Sequence, residues 1–118
     1  AREQGSADVW AGDKTGRYSM AWLIEATGVL EPAAGLPIVL VDMTGRPRLL
    51  VRLTGVEAVA FGDIEPRHTA LDGPPVRDPA VWKPLHTEYW NGLLAPLGRE
   101  VSDDMPVLVE AFELLYRA

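Results

Sequence analysis

Glycine and proline interrupt this chain so often that its helices and strands are expected to be short. The 118 residues include 11 glycines and 10 prolines, and both residue types tend to end regular elements. A chain of this length fits one domain, and its 47% apolar residues suffice for one core. We therefore expect a single α+β domain over residues 1–118, in which a small mixed β-barrel carries flanking helices.

A β-hairpin is predicted near the middle of the chain. Residues 36–42 are β-branched and apolar on both faces, which is typical of a central strand. A turn at residues 44–47 leads back into residues 48–54, which are expected to form the antiparallel partner.

Two further strands are predicted beyond this hairpin. Residues 56–61 form a third strand, which Gly55 offsets at a bulge or a corner. Residues 107–116 favour a last strand that closes the sheet. The alternative for this final segment is a short helix, which Glu110 and Glu113 would suit.

The clearest helix begins after Asp78. This residue is a good N-cap, and Pro79 occupies the first helical position, where its missing N–H costs nothing. Trp82, His86 and Trp90 follow at a spacing of four residues and share one helical face. We interpret this face as packing against the barrel, with His86 hydrogen-bonded to a backbone group.

Two shorter helices and a polar loop complete the predicted elements. The helices are expected over residues 7–11 and 65–71. Between the first helix and the sheet, residues 12–17 are predicted to form a loop that carries Lys14 and Arg17.

Charge and composition exclude several classes of function. There are 11 basic and 17 acidic residues, a net charge of −6, which argues against tight binding to duplex DNA. With no cysteine and two histidines, the chain offers few ligands for a transition metal, and no metal or cofactor is expected. No apolar run is long enough to span a bilayer and no apolar signal region appears, so a cytoplasmic location is expected.

The order of the motifs resembles that of the ASCH family, the activating-signal-cointegrator homology domains. The resemblance covers about nine-tenths of the chain and depends on the combination of motifs rather than on any one of them. In order, the motifs are the glycine–lysine loop at Gly12 and Lys14; Gly-x-x-Ile-Val-Leu-x-Asp-x-x-Gly-x-Pro at residues 35–47; Phe-Gly-Asp-Ile at residues 61–64; Thr-Ala-Leu-Asp-Gly at residues 69–73; Trp82, His86, Tyr89 and Trp90; and the apolar run at residues 106–116.

The resemblance implies a PUA-like fold and a role in RNA binding or nucleotide chemistry. Some members are ribonucleases, and others are amidohydrolases that act on acetylated cytidine. In the amidohydrolase branch the site contains a Lys, a Thr three residues later and a Glu. These positions correspond to Lys14, Arg17 and Asp72 in this chain, so an arginine stands where a hydroxyl nucleophile is expected.

The leading hypothesis is a module that binds RNA or a nucleotide-like small molecule in a cleft lined by the loop of Lys14 and Arg17. A guanidinium group suits a phosphate because its planar fork can donate two hydrogen bonds. The alternatives are a hydrolase that uses Lys14 and Asp72, either an amidohydrolase or a ribonuclease, and a protein-interaction module with a degenerate site. The further candidate ligand contacts are Thr15, Tyr18 and Ser19.

Overall fold

The computed structural model describes residue 9, residues 11–42 and residues 44–117. Of the helix predicted over residues 7–11, only Val9 and Ala11 are described, and the rest lies outside the described residues. The elements of the described part are β1 (Gly16–Met20), α1 (Ala21–Thr27), β2 (Pro37–Val41), β3 (Pro47–Ala60), α2 (Pro66–Thr69), α3 (Pro79–Leu94) and β4 (Pro106–Arg117), with three short 3₁₀ turns.

The strands form one curled antiparallel sheet, a half-barrel with the order β1-β4-β3-β2. The predicted final strand is confirmed, and the helical alternative for this segment is wrong. Strand β4 lies inside the sheet because it pairs with β1 on one side and with β3 on the other. The first hairpin strand was predicted to be central, but β2 is an edge strand and Val39 is exposed.

Glycine does not end β3. The strand runs for 14 residues through Gly55, so the predicted second and third strands are one continuous element. The register to β4 shifts between Leu53 and Gly55, which confirms the predicted bulge. A bulge lets a long strand bend without losing its partner, and here it helps β3 to curl around the barrel.

Helix α3 begins as predicted. The Asp78 side chain accepts a hydrogen bond from the backbone N–H of Ala80, and Pro79 follows it. The helix then covers one face of the sheet with the buried residues Trp82, Trp90 and Leu94. None of the helices in the described part of the chain has the length and hydropathy needed to cross a bilayer.

The sheet separates two apolar clusters. On the side of α3, Met20, Val107 and Val109 pack with the helix tryptophans. The second cluster contains Leu53 and Phe112. Because neighbouring strand residues point to opposite faces, each site residue on β1 belongs to one side or the other.

Candidate functional site

The start of β1 is held between β4 and the segment that precedes Gly73. The backbone N–H of Thr15 donates to the carbonyl of Leu71 at 2.8 Å, and its carbonyl accepts from the N–H of Phe112 at 2.9 Å. Gly16 permits this close approach, since a Cβ there would lie 2.7 Å from the Cβ of Leu71. The backbone thereby brings two remote parts of the sequence together.

This approach places Lys14 against Asp72. The Nζ of Lys14 lies 3.5 Å from Oδ1 of Asp72, and the two side chains are 23% and 8% exposed. The same carboxylate oxygen accepts a hydrogen bond from the N–H of Gly73 at 2.7 Å. The ion pair therefore has a fixed carboxylate and a lysine that partly faces solvent.

Arg77 holds the two loops of this pair together. Its Nε donates to the carbonyl of Asp72 at 2.9 Å, and a terminal nitrogen donates to the carbonyl of Asp13. The side chain thus bridges the chain before Lys14 and the chain at Asp72. Sequence reasoning missed Arg77, because its partners are backbone carbonyls that no motif reveals.

An aromatic group lies beside the Lys14–Asp72 pair. The Tyr18 hydroxyl donates to the carbonyl of His68 at 2.6 Å. The Tyr18 ring packs against Trp82 in an edge-to-face arrangement, with the ring centroids 4.9 Å apart. Burial raises the pKa of the Tyr18 hydroxyl, and the charge of Asp72 adds to this effect. This charge acts on Tyr18 because the carboxylate lies on the same side of β1.

His86 belongs to the same group. Its ring stacks on Trp82 with centroids 3.9 Å apart, and its Nδ1 lies 2.9 Å from the Trp82 carbonyl oxygen. Burial lowers the pKa of His86, and the charges of Asp72 and Lys14 also act on the ring, in opposite directions. The predicted packing role is confirmed, but the expected backbone hydrogen bond does not tie the helix to the barrel, because its acceptor lies one turn back in α3 itself.

Arg17 and Ser19 lie on the other face of β1. The Nε of Arg17 donates to Oε1 of Glu110 at 2.7 Å, and the Ser19 hydroxyl donates to Oε2 at 2.6 Å. The Glu110 side chain is fully buried, whereas that of Arg17 is 37% exposed. Because Tyr18 stands between Arg17 and Ser19 in the strand, its side chain points to the opposite face.

The predicted site residues therefore divide into two groups. Lys14 and Asp72 are in contact with Tyr18 close by, while Arg17 belongs to strand β1 rather than to the predicted loop, and it pairs with Glu110. Strand alternation thus places Arg17 away from Lys14, and the two do not line one loop. Thr15 contributes to the site through its backbone, which is hydrogen-bonded to Leu71 and Phe112.

Glu110 is the main residue that sequence reasoning missed. In the sequence, Glu110 enters only as a residue that would suit a helix at the end of the chain. The available signal was a carboxylate in the middle of an apolar run assigned to a strand, and the structure places it directly opposite Arg17 of β1. A glutamate at such a position needs a cationic partner if it is to be buried. In the described part of the chain, no three His, Cys, Asp or Glu residues come together in a way that would hold a metal ion.

A curled antiparallel half-barrel with an aromatic-rich helix across one face places this chain among the PUA-like domains. The model of the ASCH domain family matches residues 2–116, and the chain belongs to this family.

Two solved structures show the same fold. The chain resembles an ASCH domain from Lactobacillus crispatus with a TM-score of 0.89 and 22% identity, over 98% of this chain and 72% of that one. It resembles a protein from Enterococcus faecalis with a TM-score of 0.84 and 22% identity, over 93% of this chain and 66% of that one. No curated protein matches the sequence.

Proposed function

We propose that this domain binds RNA or a nucleotide-like small molecule on the surface beside the Lys14–Asp72 ion pair. The observation that carries the proposal is the contact between these two residues next to Tyr18 and His86. Membership of the ASCH family supports it, because ASCH domains are generally RNA-binding modules. An ammonium group beside aromatic rings suits a ligand that has both a phosphate and a planar base.

The negative charge of the chain favours a ligand that needs few contacts. The net charge is −6, so the average field repels a polyanion. A small ligand responds to the local charge instead, and Lys14 presents three donors of which the Asp72 carboxylate occupies only one side. The ligand phosphate would bind Lys14 either beside the Asp72 carboxylate or in its place.

Arg17 has a separate part in the proposal. Its Nε is occupied by Glu110, which leaves the terminal guanidinium nitrogens for a phosphate on the other face of β1. Strand β1 is at the edge of the sheet, so an RNA strand that crosses it would meet both Lys14 and Arg17. A single nucleotide beside Lys14 would not require Arg17. Ser19 then acts through Glu110, since its hydroxyl is already donated to that carboxylate.

A pair of binding measurements tests this division. Lys14→Ala is expected to weaken AMP and CMP binding by calorimetry, and to weaken binding of a single-stranded RNA oligonucleotide by fluorescence anisotropy. Lys83→Ala is the matched control, because Lys83 is the other lysine of the chain and donates to the Gly62 carbonyl. Unchanged affinity in Lys14→Ala would contradict the proposal.

Arg17→Lys tests the second half, since a lysine keeps a cation beside Glu110 but loses the guanidinium fork. We expect weaker RNA binding, a shallower dependence of log affinity on log salt, and unchanged nucleotide binding. Equal losses for RNA and nucleotide would show that one ligand reaches both cations.

A second candidate function is hydrolysis of an acylated nucleoside or of RNA by Lys14 and Asp72. The 3.5 Å contact favours it because the two predicted catalytic groups meet. Against it, the position of the expected threonine holds Arg17, whose donor is engaged by Glu110. Incubation with N4-acetylcytidine would release acetate and cytidine, and Lys14→Ala would abolish the release while Lys83→Ala would not. Wild-type protein that releases no acetate from this substrate and cleaves no RNA would exclude this candidate.

A further inference from the structure

The tautomer of His86 follows from its backbone contact. Nδ1 lies 2.9 Å from the carbonyl oxygen of Trp82, and a carbonyl oxygen can only accept. Nδ1 must therefore carry the hydrogen, and in a neutral imidazole the lone pair is then on Nε2. Burial lowers the pKa of His86, so the ring is neutral at neutral pH.

The other histidine has the opposite tautomer. His68 Nδ1 accepts a hydrogen bond from the backbone N–H of Glu65 at 3.0 Å, which places its hydrogen on Nε2. That Nε2 is buried and faces Oε2 of Glu57 at 3.6 Å, beyond the length of an ordinary hydrogen bond. His68 Nε2 is thus enclosed beside Glu57, and the two rings differ in the nitrogen that carries the hydrogen.

The lone pair of His86 is open to a ligand. Among the described residues, the buried side-chain nitrogen and oxygen atoms without a partner are His68 Nε2 and Trp82 Nε1. His86 Nε2 also has no hydrogen-bond partner in that part of the chain, so it must have accessible surface. The stack on Trp82 and the hydrogen bond to its carbonyl fix the orientation of the His86 ring. The lone pair of Nε2 therefore has a fixed direction.

The charged pair lies close to this acceptor. The charges of Lys14 and Asp72 both act on the His86 ring, and the Tyr18 ring centroid is 5.9 Å from that of His86. A molecule bound at Lys14 can therefore reach His86 with its other end. At His86 Nε2 the molecule would meet a hydrogen-bond acceptor. A lysine or an arginine at this position would instead be a donor.

We infer that His86 is a specificity residue that accepts, through Nε2, a hydrogen bond from an exocyclic amino group of the ligand base. The inference rests on the proposed function, because it assumes that a nucleotide-like molecule binds beside Lys14. It selects bases that carry an amino group over the corresponding keto bases. A keto oxygen at that point would face a lone pair, and neither group could then make a hydrogen bond.

Two nucleotide pairs test this selection because each pair differs in an amino or keto group. The dissociation constants of CMP and UMP, and of AMP and IMP, are measured by calorimetry at neutral pH. We expect wild-type protein to prefer CMP over UMP, or AMP over IMP, by about tenfold. His86→Phe keeps a flat ring on Trp82 but removes the acceptor, and it should reduce the preference to about one.

His86→Gln provides the rescue, since its amide places an acceptor near the former Nε2 position. We expect part of the preference to return in this variant. A preference that persists unchanged in His86→Phe overturns the inference but leaves the proposed function intact, as does nucleotide binding with no preference in wild-type protein. If no nucleotide binds to wild-type protein, both this inference and the small-ligand form of the proposed function fail. The RNA form of the proposed function is tested separately, by the binding of the RNA oligonucleotide.

Discussion

Two ion pairs lie on opposite sides of the short strand β1, and they differ in the closeness of their contacts more than in the exposure of their cations. Glu110 is fully buried and receives donors from Arg17 at 2.7 Å and from Ser19 at 2.6 Å. The Nζ of Lys14 lies 3.5 Å from Asp72, and its side chain is 23% exposed. The first pair has few ways to rearrange, whereas we propose that the lysine exchanges its carboxylate for a ligand.

The comparison separates a cation that the fold needs, even if its terminal nitrogens also meet RNA, from a cation whose main role we propose to be ligand binding. Removing a carboxylate from water is costly, and only a fixed partner with further hydrogen bonds offsets that cost. Arg17 and Ser19 provide these for Glu110. Asp72 is buried too, but it accepts a hydrogen bond from the N–H of Gly73 and its lysine lies 3.5 Å away and partly faces solvent, so we expect Lys14 to contribute less to stability than Arg17 does.

The largest expected effect comes from Arg17→Met. The change leaves the Glu110 carboxylate buried without its cation, and we expect the free energy of unfolding to fall by about 3 kcal/mol, at the lower end for buried pairs because Arg17 is partly exposed. Urea denaturation at neutral pH measures it. The double variant Arg17→Met/Glu110→Gln should recover part of the loss, because the buried charge is gone. A loss below about 1 kcal/mol would contradict the difference between the two pairs.

Ser19→Ala should have the next largest effect. It removes the hydroxyl that donates to Oε2 of Glu110, and a hydrogen bond to a charged group contributes about 1.5 kcal/mol or more. Ser102→Ala is a matched control, since its hydroxyl makes the same 2.6 Å contact with Asp104 on the surface. Equal unfolding free energies for the two variants would show that burial does not strengthen the Glu110 cluster.

Tyr18→Phe tests the side of the strand that carries Lys14. Its hydroxyl donates to the His68 carbonyl, and we expect a loss of about 1 kcal/mol in the free energy of unfolding. Tyr89→Phe is the control, because Tyr89 is exposed on α3. The same small change in both variants would mean that the hydroxyl does not hold β1 to the segment at His68.

The smallest expected effect on stability belongs to Lys14→Met. A partly exposed pair at 3.5 Å should contribute less than about 1 kcal/mol to the free energy of unfolding. Lys83→Met provides the reference for losing one surface ammonium. A loss in Lys14→Met as large as that in Arg17→Met would mean that the lysine has a structural role like that of Arg17.

Much of the fold could be predicted because the signals were local or belonged to the family. Asp78 and Pro79 marked the start of α3, and Gly55 marked a bulge. The family resemblance is confirmed over residues 2–116. The motif alignment also selected Lys14 and Asp72, which the structure brings into contact.

The incorrect predictions concern features that depend on how distant segments pair in the sheet. Residues 36–42 were predicted to be central because they are apolar on both faces, but β4 takes the inner position and leaves β2 at the edge. Arg17 was expected to line one loop with Lys14. Strand alternation within β1 instead directs Arg17 to Glu110.

The sequence by itself determined most of the segments that extend or coil, although not β1. It also determined where the long helix begins and which family motifs recur, since these depend on near neighbours and on local backbone chemistry. The tertiary structure decided the sheet order, the face that each β1 side chain occupies, and the burial of Glu110. Those features depend on strand pairing between residues far apart in the chain, and the same pairing determines which carboxylates lose their water. It therefore also separates the cation that the fold needs from the cation that we propose to serve mainly the ligand.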